Sequence, residues 1–294
     1  MFKSGFISII GRPNVGKSTL LNAIVNEHLS IISPVAQTTR NNLKGIYTDD
    51  KMQIVFIDTP GIHKPKNELG SFMNKQSYSS LNDSDLILWI VDASEEFGGG
   101  DRYLVNILET VKPPVILVLN KIDKVETSSL EYKENKNNFL NSLKFMSNIE
   151  ISALEKTRVD TLMDLLYENL SEGPAYYDKN QLTDTPIRFI VGEIIREKIF
   201  MLTRQEVPHS VAVVIDDMKE DAELTSIRAT IYVSRTSQRG IILGSGGKMI
   251  KNIKKLSKRD IALICGTKVD LDLWVKASKN WQDNVNILGR LGYK

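Results

Sequence analysis

The stretch Gly11-Arg12-Pro13-Asn14-Val15-Gly16-Lys17-Ser18 fits G-x-x-x-x-G-K-[ST], the pattern of a phosphate-binding loop. Its setting is the one that pattern needs. The apolar run Phe6, Ile7, Ser8, Ile9, Ile10 predicts an entering strand, and residues 19–25 predict the helix that leaves. Loop N–H groups wrap a phosphate and the helix N-terminus adds partial positive charge. Gly11 and Gly16 let the backbone turn tightly, Lys17 sets one charge against the β/γ oxygens, and the Ser18 hydroxyl is placed to ligate Mg²⁺. Arg12, Pro13, Asn14, Val15 and Thr19 complete the expected nucleotide-contacting set.

Further motifs follow in order. Residues 29–42 are polar and contain Gln37-Thr38-Thr39-Arg40, which reads as a switch loop that orders around phosphate. Thr38 and Thr39 are both candidates for the threonine that reaches Mg²⁺; Thr39, before the arginine, matches the pattern of related GTPases. Residues 43–48 and 52–58 predict a hairpin with Asp49-Asp50 at its turn. Its second strand delivers Asp58-Thr59-Pro60-Gly61, a D-x-x-G motif. Asp58 is expected to hold Mg²⁺ through a water, and the Gly61 N–H to meet the γ-phosphate. Lys17, Thr39 and Gly61 are thus the expected catalytic set, with Thr59, Pro60 and Ile62 as flanking nucleotide contacts. Ile62 stands where Ras-type switches carry a water-orienting Gln. An aliphatic side chain cannot do that, so another group positions the water or turnover is slow. His63 reads as a surface-loop residue rather than a general base, and residues 65–81 as a polar, mobile second switch.

Apolar strands at 86–92 and 115–119 come next, the second ending in Asn120-Lys121-Ile122-Asp123. N-K-x-D selects guanine: the Asp123 carboxylate accepts from N1–H and the 2-amino group, which adenine does not offer in that pattern. Lys121 lies along the base and Asn120 ties the motif to the phosphate loop. A last strand ends in Ser152-Ala153-Leu154, whose Ala153 N–H is expected to meet guanine O6, and residues 159–170 predict a closing helix. Strands alternating with helices predict an α/β domain with a parallel sheet flanked on both faces, its ligand motifs at strand ends. The nucleotide is GTP, not ATP.

A length of 294 residues suggests roughly two domains. Residues 1–175 carry 18 Lys+Arg against 22 Asp+Glu, whereas residues 176–294 carry 20 against 14. The basic second half points to a nucleic-acid partner. A single cysteine, Cys265, excludes an internal disulfide and suits a reducing compartment. The N-terminus lacks a signal peptide's long apolar region, and the longest apolar runs are too short to span a bilayer, so a cytoplasmic protein is expected. The Gly-, Pro- and polar-rich residues 173–186 read as a linker between domains at 1–172 and 187–294.

The second domain reads as a smaller α+β unit: a helix at 189–202, strands at 210–216, 226–234 and 270–276, and a C-terminal helix at 281–291. The stretch from Ile241 to Lys251 matches I-G-x-x-G-x-x-I, the core of a KH module. Gly244, Ser245, Gly246 and Gly247 form its GXXG loop, which clamps a single-stranded backbone. Lys251, Lys254, Lys255 and Lys258 fall on one face of the following helix, where attraction for phosphates is salt-dependent. Arg239, Ile242, Lys248 and Ile250 join Lys251, Lys254 and the loop as expected RNA contacts. Trp274 and Trp281 could stack bases, but both are expected in the core.

In this order the motifs resemble the Era family, bacterial GTPases joined to a C-terminal type II KH domain. G-R-P-N-V-G-K-S, Q-T-T-R, D-T-P-G-I-H, N-K-I-D, S-A-L, E-G-P-A-Y-Y, R-E-K-I-F, V-P-H-S-V-A-V and I-I-L-G-S-G-G-K-M-I carry the likeness over essentially the whole chain. The resemblance implies a Mg²⁺-dependent GTP/GDP switch that binds the 3′ end of 16S rRNA through its KH groove and assists maturation of the 30S subunit. It implies that Asn14 helps hold K⁺ beside the phosphates, which fits Ile62 after D-x-x-G, and that a monomer makes peripheral contact with the inner membrane face. GTPases that modify tRNA or assemble the large subunit lack such a GXXG or carry a second GTPase domain, and this sequence has one phosphate loop.

Overall fold

The apolar run that enters the phosphate loop is strand β1 (Lys3–Ile10), and the loop leaves through helix α1 (Lys17–Val25). The computed structural model describes residues 1–31, 39–62, 65, 67–203, 207 and 210–291. They form two compact units, one built chiefly from residues up to Asp184 and one from Thr185 onward. In the first, β2 (Leu43–Thr48) and β3 (Met52–Asp58) form the expected hairpin, Leu43 opposite Asp58. Strands β4 (Leu86–Asp92), β5 (Val115–Asn120) and β6 (Ser147–Glu150) extend the sheet. Its order is β2-β3-β1-β4-β5-β6, parallel except for β2 at the edge. Every residue of β3, β4 and β5 is buried, as a sheet covered on both faces requires. Helices α2 (Glu68–Asn82), α3 (Gly99–Leu108), α4 (Leu130–Leu140) and α5 (Val159–Asn169) join α1.

Helix α2 corrects an expectation. Its sequence reads as polar and mobile, yet Met73, Ser77 and Leu81 recur at four-residue steps and all are buried. A serine in that stripe, and serines and asparagines around it, dilute the helical pattern below what periodicity reveals.

Residues 171–184 are tied to the sheet of the first unit. Ser4 N–H donates to the Ser171 carbonyl and Ile46 N–H to that of Leu182. Gln53, wholly buried in β3, uses both ends of its amide: Oε1 accepts from Tyr176 N–H (2.6 Å) and Tyr177 N–H (2.9 Å), and Nε2 donates to the Tyr177 carbonyl (2.8 Å) and to Thr48 Oγ1 (3.0 Å).

The second unit runs α6 (Ile187–Leu202), β7 (Val211–Glu220), β8 (Leu224–Val233), α7 (Thr236–Leu243), α8 (Lys248–Cys265), β9 (Lys268–Ala277) and α9 (Val285–Arg290). Central β8 pairs antiparallel with β7 and parallel with β9. Its core gathers Ile190, Ile194, Ile227, Ile231, Ile253, Ile261 and Leu271. Trp281 is buried as expected, its Nε1 donating to the Ser210 carbonyl at 2.8 Å. Trp274 is not: it is 63% exposed, because alternate residues of β9 face away from the helices, and its Nε1 rests on Asp272. Among the described residues, no helix is long and apolar enough to cross a membrane.

Gln53→Ala removes the three bonds that hold residues 176–177 and a fourth to Thr48. It is expected to cost about 2 kcal/mol in chemical denaturation and to speed hydrogen exchange across 176–184; unchanged exchange would show that other contacts hold the segment.

Candidate nucleotide site and nucleic-acid interface

Three motifs meet at the C-terminal ends of β1, β3 and β5. Gly16, which caps α1, has φ +102°, and a Cβ there would collide with the Asn120 amide, so glycine is required twice over. Lys17 is buried, and its Nζ donates to the carbonyls of Gly11 (3.2 Å) and Arg12 (3.0 Å). Burial pulls its ammonium down to about 8, against the pull of Asp58 in the other direction. Phosphate oxygens set against it would favour the charged form further.

Ser18, Thr39 and Asp58 come together. The Ser18 hydroxyl donates to Asp58 Oδ2 at 2.7 Å and lies 3.0 Å from Thr39 Oγ1; Thr39 is 3.5 Å from the same carboxylate. Ser30, buried, donates to Asp58 Oδ2 at 2.8 Å. Asp58 is wholly buried, and burial raises its pKa despite Lys17 and these hydroxyls. Its Oδ1 is buried with no hydrogen-bond partner among the described residues. A hydroxyl pair and a carboxylate with a spare oxygen form an oxygen donor set that suits a hard divalent cation. Of the two candidate threonines, Thr39 has its hydroxyl in this cluster; Thr38 and His63 lie outside the described residues. Ser30 carries no motif and was not legible from sequence.

On the guanine side, buried Asn120 spans two elements. Its Nδ2 donates to the Val15 carbonyl (2.8 Å) and its Oδ1 accepts from Ala153 N–H (2.9 Å). The Ala153 N–H expected to face guanine O6 is therefore engaged by Asn120, and would have to be shared. Asp123 Oδ1 accepts from Ser152 Oγ at 2.5 Å, which fixes the carboxylate. Lys121, at φ +66°, reaches the Asn14 carbonyl (2.6 Å) and Asp92 Oδ2 (2.5 Å). Asp92 in turn accepts from Ser94 N–H (3.0 Å) and Ser94 Oγ (2.7 Å). Asp92 and Ser94 sit at the end of β4, a strand end beside the motifs, which is the signal that could have found them.

Several expected contacts turn their side chains elsewhere. Arg12 is held by Asp101 (3.0 Å) and Glu95 (2.8 Å). The Thr59 hydroxyl donates to the Ile9 carbonyl at 2.7 Å. Ile62 is buried in an apolar cluster with Ile10, Leu81 and Trp89, and Ile122 packs against that cluster. Ile62 thus offers the nucleotide backbone alone, which explains an aliphatic residue after D-x-x-G.

In the second unit, the GXXG loop joins α7 to α8. Gly246 and Gly247 have φ +58° and +75°, and open space lies within 4 Å of where each Cβ would stand, so a phosphodiester can press against the backbone. Arg239, Ser245, Lys248 and Lys251 are exposed around it, with Ile250 and Lys254 half-buried. Ile242 is a correction: it is wholly buried in the core and offers no surface to RNA. Lys251, Lys254, Lys255, Lys258, Arg259 and Lys268 line an open groove of about 810 Å³, where Asp270 lies 3.6 Å from Lys258.

Guanine-selective chemistry at the C-terminal strand ends of one sheet and a glycine clamp in a separate small unit make this a P-loop GTPase carrying a KH domain. A family model described as a 50S ribosome-binding GTPase matches residues 6–121, and one described as a KH domain matches residues 206–282. The chain is 37% identical to Era solved in complex with MgGDPNP and nucleotides 1506–1542 of 16S ribosomal RNA, over 100% of this chain and 99% of that one, with a TM-score of 0.94. It is likewise 37% identical to a point variant of Era from Aquifex aeolicus bound to GDP and AlF4⁻, over 99% of both chains, with a TM-score of 0.93. The chain belongs to the Era family of GTPases.

Asp92→Asn leaves Lys121 without its anionic partner beside the phosphate loop. GDP affinity, read by fluorescent-nucleotide titration, is expected to fall roughly tenfold; wild-type affinity would show that Asp92 does not orient Lys121.

Proposed function

We propose that this protein is a GTP-hydrolysing switch that binds the single-stranded 3′ end of 16S rRNA through its KH groove and assists maturation of the 30S subunit. Residues 1–172 act as the nucleotide domain and 187–294 as the RNA-binding domain, with 173–186 connecting them. The convergence of Ser18, Thr39 and Asp58 beside Lys17 carries the nucleotide half of this reading. The open backbone at Gly246 and Gly247 and the basic groove beside α8 carry the RNA half.

Ser18, Thr39 and Asp58 would hold Mg²⁺, which neutralises charge on the β- and γ-phosphates. Loop amides from residues 11–19 cradle the phosphates and Lys17 balances the charge that develops as water attacks the γ-phosphorus in line and the bond to the β-phosphate oxygen breaks. Asp123, oriented by Ser152, reads guanine N1–H and the 2-amino group. Asn120, Lys121 and residues 152–154 complete the base pocket. The exposed Asn14 side chain lies in the phosphate loop, where K⁺ would supply the charge that other switches take from an arginine. Resemblance to the family supports a cytoplasmic monomer with peripheral contact at the inner membrane face.

The test is GTP turnover in K⁺ and in Na⁺ buffer, with and without an oligonucleotide matching the 3′ end of 16S rRNA. Turnover is expected to rise with K⁺ and with the oligonucleotide. Gly247→Asp sets a carboxylate against the phosphodiester and is expected to lower oligonucleotide affinity at least tenfold, about 1.4 kcal/mol or more, and to abolish the stimulation. Full affinity in that variant would overturn the groove assignment.

A further inference from the structure

Ser77 lies in the buried stripe of α2, where its neighbours at four-residue steps, Met73 and Leu81, are apolar. It is wholly buried. A hydroxyl in such a place is costly unless it is bonded. Its Oγ lies 3.0 Å from the Met73 carbonyl, the ordinary back-bond of a helical serine, and 3.1 Å from the Pro60 carbonyl. The Met73 carbonyl, inside the helix, already faces the helical N–H four residues on. The Pro60 carbonyl belongs to D-x-x-G.

A trans peptide plane carries its C=O and its N–H in opposite directions. A donor on the Pro60 carbonyl therefore fixes where the Gly61 N–H points. The neighbouring residue is fixed as well, by the Thr59 hydroxyl on the Ile9 carbonyl at 2.7 Å. On the other side, Gly61 abuts the phosphate loop: a Cβ on it would stand 3.0 Å from Pro13 N and 3.1 Å from Pro13 Cα. The peptide is thus held between α2 and the phosphate loop.

We propose that Ser77 is a positioning residue for GTP hydrolysis, its buried hydroxyl gripping the Pro60 carbonyl so that the Gly61 N–H faces the γ-phosphate. The assignment rests on the reading of Gly61 as the γ-phosphate contact. GDP has no γ-phosphate, so Ser77 should matter for the triphosphate state and not for the diphosphate state. A residue that merely packed α2 would affect both alike.

The experiment measures steady-state GTP turnover, and affinities for GDP and a non-hydrolysable GTP analogue, in wild type, Ser77→Ala and Ser77→Cys. Ser77→Ala is expected to lower turnover and analogue affinity roughly tenfold while GDP affinity stays within about twofold. Ser77→Cys, which keeps a weak S–H donor, should fall between. Equal losses for GDP and the analogue, or wild-type turnover, would overturn the proposal. If Ser77→Ala does not fold, Ser77→Cys decides on the same split. A wild type that shows no turnover would instead overturn the hydrolysis reading itself.

Discussion

A buried carboxylate sets the terms for this site. Asp58 ends a strand in which every residue is buried, and its own pKa is pushed up even with Lys17 and three hydroxyls around it. The direction of that shift says that burial outweighs the attraction of Lys17. Lys17 is strained in the opposite sense, drawn down toward neutrality. Burial disfavours the charge on each group, and a cation with phosphates would relieve both. Sites that break local rules in this way are where function is expected to sit.

The elements around that pair transmit position rather than charge. Asn120 joins the phosphate loop to the turn at Ala153, Lys121 joins Asn14 to Asp92, and Ser152 sets Asp123. A base at Asp123 and phosphates at Gly16 would thereby be coupled through these hydrogen bonds and the Ser152–Ala153 backbone. Ile62 takes no part, being committed to the core.

The strand ends and their motifs were legible because they combine a long apolar run with residue types that few other structures need. Hairpin β2–β3, the N-K-x-D strand and the GXXG turn all fall where the sequence put them. Supporting residues were not legible. Ser30 and Ser77 act through one hydroxyl each, with no spacing pattern, and three-dimensional neighbours decide their roles; Asp92 and Ser94 had only their place at a strand end. The pattern of helix α2 is diluted by Ser77 in its buried stripe and by the polar residues around it, and Ile242 is buried although its motif also contains the exposed loop. Trp274 faces outward through strand alternation that its apolar neighbours obscure.

The decisive measurement is thermal unfolding of wild type and Asp58→Asn, first empty and then with GDP and Mg²⁺ added in turn. Asparagine keeps the acceptor for Ser18 and Ser30 and removes the buried charge. Without ligand the variant should melt above wild type, because the buried charge is gone, and it should lose the extra stabilisation that Mg²⁺ gives to the GDP-bound protein. An empty variant that melts below wild type while keeping its Mg²⁺ stabilisation would contradict the view that Asp58 is held in the fold for the cation.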